Sequence, residues 1–183
     1  MIEQVLPRLK TTLTTYLATE AAKMDTVSSP AGMSSVTVPV PAAAAIYIDA
    51  VGEHEIFDHT AVIVFEESRS QKQSPGGEDG RYMGSSSRIV DWRHELELRV
   101  GVLGQDRVTT GTLLRRLVSA VQVTLDRYAW SASAGTNTGE PYYVNVTTID
   151  WGGIGGREDG KFTRSAIVTI EAFERTQIIY TDI

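Results

Sequence analysis

Chemistry in this chain would be sought first in its 16 glycines, its three histidines and its carboxylate pairs; there is no cysteine. The densest glycine run, Gly152-Gly153-Ile154-Gly155-Gly156 with Gly160 beyond it, invites a phosphate-cradle reading. Such a cradle needs its glycines directly before a helix, whose N-terminus faces the anion. Here a β-rich run follows and no Lys-Ser/Thr pair is present, so the glycines read as the turn of a hairpin. His54 and His59, beside Glu53, Glu55 and Asp58, allow a weak surface metal site, but exposed strand and turn positions suit them better. His94 opens an alternating strand and reads as surface. No Gly-x-Ser-x-Gly elbow occurs, so a serine nucleophile with a His–acid partner has no motif behind it. The pairs Glu66-Glu67 and Glu78-Asp79 fall at strand ends or loop tips, where solvent screens them, whereas acid–base catalysis needs partly desolvated groups. The absence of cysteine excludes disulfides, Cys-ligated metals and thiol chemistry. No catalytic residue, cofactor-binding residue or metal ligand is therefore expected.

What remains are groups suited to contact other chains. Arg69, Lys72 and Arg81 lie in the long polar stretch 68–87, and Arg115 and Arg116 sit on a helix, off its apolar stripe. Ile178, Ile179 and Tyr180 carry apolar groups in a short terminal segment, 174–183, that a small domain need not bury. These eight are the expected interface residues.

The elements that position them follow from periodicity. Ile2, Val5, Leu6, Leu9, Leu13, Tyr16 and Leu17 recur every three or four residues and predict an amphipathic helix, with Glu20 off its apolar face and Pro7 tolerable only near its start. The segment 25–45, rich in Ser, Pro and Ala, reads as irregular; Pro39 and Pro41 cannot donate to a ladder. A strand is expected over 45–51 and another over 60–66. Residues 68–87 hold almost no core formers and predict a protruding, mobile hairpin tip. Leu96, Leu98, Val100 and Val102 alternate with Glu95, Glu97, Arg99 and Gly101, giving a strand within 88–103 that has one wet face. Thr109 or Thr110 then caps a helix to about Tyr128, striped by Leu114, Leu117, Val118, Val121, Leu125 and Tyr128 itself. Strands over 142–151 and 162–173 close the chain as an antiparallel hairpin. The order α-β-β-β-α-β-β predicts one α+β domain over residues 1–183, a mainly antiparallel sheet flanked by two helices.

Composition narrows the classes. With 42% hydrophobic residues the chain holds enough for a core, and 17 basic against 23 acidic side chains give a net charge of −6. That balance argues against a domain built to grip nucleic acid. No apolar run approaches the roughly 20 residues that span a bilayer. The first residues lack a basic stretch and an apolar core of the signal-peptide kind, so a soluble, cytoplasmically made protein is expected.

The run HELELRVGVLGQD, the helix TTGTLLRRLVSAVQVTLDRY, the strand YYVNVTTIDWGG, the turn GREDGKF and the strand TRSAIVTIEAFERTQ together resemble a known family. It is the tail terminator, or tail completion, proteins of long-tailed bacteriophages, the lambda minor tail protein U class. The likeness covers 88–175 well and the first helix loosely. The segments 25–45 and 68–87 depart from the family pattern. The resemblance implies a structural virion protein, not an enzyme, that forms a ring, a homohexamer in the family, at the head-proximal end of the tail. There it would end tube growth and meet the tail tube protein and the head-completion protein. DNA would be only passing cargo, and assembly would take place in the bacterial host cytoplasm. Another neck, connector or tube protein stays open as an alternative, as does a small-ligand module or enzyme of the same layout.

Overall fold

The structure, a computed structural model, describes residues 2–28, 37–49, 59–73, 81–82, 87–129, 141–157 and 159–179. Helix α1 (Ile2–Ser28) is followed by a short 3-10 turn (Ala43–Ala45) and strand β1 (Ile46–Ile48). Strands β2 (Ala61–Gln73), β3 (Arg81–Tyr82) and β4 (Ser87–Gly104) come next, then helix α2 (Arg107–Tyr128). Strands β5 (Pro141–Gly156) and β6 (Phe162–Ile179) end the described chain. The fold is α+β, in the predicted element order, with the two-residue β3 added.

The strands form one sheet in the order β1-β2-β4-β6-β5, and β3 pairs with β4. All pairings are antiparallel except β1 with β2. Even-numbered residues of β4 and β6 point one way: Leu96, Leu98, Val100, Val168 and Ile170 are fully buried. They meet Leu114, Leu117, Val121 and Leu125 of α2, and Leu9, Leu13 and Leu17 of α1 share the same core. The predicted stripe of α2 is therefore the buried one.

The two helices run antiparallel, since Glu20 meets Tyr128 while Asp25 meets Arg116. The first half of α1 therefore carries on past the end of α2. The strands need that cover. β4 and β6 have 18 residues each, about 60 Å of strand, whereas the 22 residues of α2 span about 33 Å.

Several expectations change. α1 runs through Pro7 to Ser28, so part of the expected irregular segment is helix. The stretch 68–87 is not one loop: β2 continues to Gln73 and β4 begins at Ser87, because a polar strand needs only a ladder partner, and β4 supplies one. Residues 74–80 and 83–86, where the mobile tip was expected, lie outside the described residues. The glycines 152–156 are strand, not turn. A Cβ on Gly152 would stand 2.9 Å from the Ser165 carbonyl oxygen, so glycine is there for close strand approach. The chain reverses where the Arg157 N–H donates to the Lys161 carbonyl oxygen at 2.9 Å, with Gly160 at a φ of 76°. The expected terminal tail is ladder as far as Ile179, paired with Ser87. Asp106, not a threonine, caps α2, its carboxylate accepting from the Thr109 N–H at 2.8 Å.

Candidate functional site

Three neighbouring strands bring together residues that the sequence separates widely. Ser70 on β2 lies directly opposite His94 on β4, and His94 lies opposite Ala172 on β6, two residues before Glu174. The Ser70 hydroxyl is 2.6 Å from His94 Nδ1, and His94 Nε2 is 2.9 Å from a Glu174 carboxylate oxygen. His94 is 2% exposed and Glu174 is fully buried, while Ser70 is exposed. Trp92 stacks near the imidazole, ring centroids 6.4 Å apart. Glu67 also contacts the Ser70 hydroxyl. Burial pushes the His94 pKa below its ordinary value, and the charge of Glu67 opposes that shift.

His94 is thus not surface, and a Ser–His–acid arrangement does exist. The alternation of β4 pointed to it, since His94 shares the parity of Leu96 and Leu98. What the sequence lacked was the register that sets Ser70 and Glu174 beside it. The imidazole thus stands between Glu174, at Nε2, and the Ser70 Oγ, at Nδ1, while the Ser70 hydroxyl donates its proton to Glu67.

The expected interface residues divide into two places. Lys72 lies opposite Trp92 in the ladder, Arg81 opposite Ile89, Ile178 opposite Arg88 and Ile179 opposite Ser87, all at one end of the sheet. Arg69, exposed on β2, stands opposite Glu95 at a ladder irregularity. Tyr180 lies outside the described residues. Arg115 is exposed on α2 as expected. Arg116 is not: it is 6% exposed, and its guanidinium reaches Asp25 of α1 at 3.5 Å. The apolar stripe of α2 is wider than the sequence implied, because α1 packs beside the sheet and takes in this position. Asp25 also accepts the Val38 N–H at 3.1 Å, joining three segments. Glu20, expected off the buried face, is likewise buried and accepts from Lys23, Tyr128 and Arg127 at 2.6, 3.0 and 3.3 Å.

The sheet face away from the helices carries cross-strand ion pairs: Arg99 with Glu66 at 3.1 Å, Arg175 with Asp91 at 2.7 Å, and Arg93 with Glu171. An open cavity of about 450 Å³ lies on this face over Val62, Val64 and Ile167, with Arg99 and His59 among its walls. His59 bonds the Tyr47 hydroxyl at 2.9 Å, and His54 lies outside the described residues. Among the described residues no three His, Cys, Asp or Glu side chains are grouped to hold a metal. Nor is any described helix long and apolar enough to cross a membrane.

At the sheet margin, β5 pairs only with β6 among the described residues, so its 16 residues form an edge. Tyr143 and Trp151 on it are 51% and 46% exposed. Irregularities after Pro141, Val146 and Trp151 break the ladder three times, a form that resists indiscriminate strand addition. No family model matches this chain, and no curated protein matches it.

Proposed function

We propose that the chain is a structural subunit of a long-tailed bacteriophage. It forms a ring at the head-proximal end of the tail, ends tube polymerisation and joins the tail to the head-completion protein. The observation that carries this reading is the β5 margin, where two large aromatic side chains, Tyr143 and Trp151, stand half exposed on one edge strand. Aromatic side chains are enriched where proteins meet, because they bury much area at little entropic cost. The order of elements on which the family resemblance rests, helix, three strands, helix, two strands, is kept with only the two-residue β3 added, and supports it further.

Head-to-tail contacts through such a margin close into a ring only if the rotation per subunit divides the circle. The work is then geometric: one surface for the neighbour, another for the tube. Native mass, with negative-stain images, tests the ring directly. Removing the protein from an assembling phage tests the role. Tails of uncontrolled length that fail to join heads are the expected result. Tails of normal length lacking only heads would indicate another neck protein, and normal infectious particles would overturn the structural reading.

A further inference from the structure

We propose that Ser70 is a nucleophile for acyl transfer from small carboxylic esters, with His94 as its general base and Glu174 as the positioning residue that holds the imidazole. The inference stands apart from the ring reading and concerns a different part of the molecule.

The geometry meets the requirements of an activated hydroxyl one by one. The base lies within proton-transfer distance of the nucleophile, at 2.6 Å, and a third group fixes the base at 2.9 Å. Burial is graded in the right direction: Glu174 is fully buried, His94 nearly so and Ser70 exposed. A carboxylate kept from water holds the Nε2 proton and directs Nδ1 at the serine. When His94 takes the serine proton, the imidazolium lies between Glu174 and the Glu67 carboxylate beside Ser70, whose charge favours it against the cost of burial. Ser70 itself is exposed. β1 pairs with β2 only from Ile63 to Phe65, so beyond Phe65 no described strand covers the outer edge of β2.

The step balances without a cofactor. The Ser70 hydroxyl turns from Glu67 to His94 Nδ1, and Oγ bonds to the acyl carbon as its proton passes to that nitrogen. The ester C–O bond breaks, the leaving alkoxide takes that proton, and an alcohol departs. Water then attacks the acyl-serine, His94 takes a proton from it and returns one to Ser70 Oγ, and a carboxylic acid is released.

Two probes on the full chain test this: a fluorophosphonate, which leaves a covalent adduct on an activated serine with loss of fluoride, and p-nitrophenyl acetate. A single adduct mapped to Ser70, absent in Ser70→Ala, is expected. Since Ser70 is exposed, that variant keeps its fold. His94→Gln should slow labelling by about 100-fold or more, the range of general-base contributions. Glu174→Gln should displace the pH profile of labelling, and Glu174→Asp should restore it in part, which a merely structural carboxylate would not do. Should the buried variants fail to fold, native protein against Ser70→Ala decides the matter alone. No adduct, an adduct on another residue, or equal ester hydrolysis by the native protein and Ser70→Ala would overturn the proposal, and none of these outcomes bears on whether the subunit forms rings.

Discussion

Glu20 shows how a single carboxylate can tie two helices. Its hydrogen bond from Lys23 holds its pKa below the ordinary carboxylate value, and burial works against that. A carboxylate depressed in the fold lends stability that is complete above its unfolded pKa and is lost as pH falls through the lower, folded one. Acid titration of the melting temperature should therefore fall more steeply for the native chain than for Glu20→Gln. At neutral pH that variant should cost about 1–3 kcal/mol, as its charged hydrogen bonds are weakened. His94 adds a second window. Its folded pKa is depressed by burial, so the fold favours the neutral ring. Its contribution is complete above the unfolded value near 6.5 and is lost progressively below it, as the unfolded chain takes up the proton first. Melting temperatures measured from pH 7 to pH 5 should decline, and less so for His94→Gln. None of this was legible in composition. Glu20 and His94 are polar residues at buried positions of correctly periodic elements, and two of their partners, Tyr128 and Glu174, stand 108 and 80 residues away.

The elements themselves were largely legible. An apolar stripe every three or four residues and a strict alternation fix helix and strand by local geometry, and α2 and the core half of β4 follow from them. Polar strands have no such signal: the ends of β2, β4 and β6 are strands because each lies in a ladder, and pairing partners are not written locally. The edge of a helix stripe is equally hard to read, as Arg116 shows. Three substitutions in α2 separate these cases. Leu117→Ala, at a fully buried site, should cost about 2–5 kcal/mol in denaturant unfolding. Arg116→Ala should cost about 1–3 kcal/mol, because it strips the partly buried Asp25 carboxylate of a buried partner. Arg115→Ala, exposed, should change stability by no more than about 0.5 kcal/mol.

For the whole molecule, the proposed ring places its weight on the margin of β5. Replacing Tyr143 and Trp151 together by Ser should leave the melting temperature of the subunit within a few degrees while lowering the native mass of the assembled particle, since half-exposed side chains contribute more to a contact than to a core. Unchanged mass would move the interface elsewhere. The strand order has a further outcome, in the timing of synthesis. β6 lies between β4 and β5, so β5 leaves the ribosome before its only described ladder partner exists. β4 likewise has one long flank open until β6 is made, with 18 residue pairs of ladder still to form. The core cannot close from the N-terminus onward. Chains arrested before residue 162 should expose strand edges and apolar faces together, the combination that recruits chaperones and seeds aggregation.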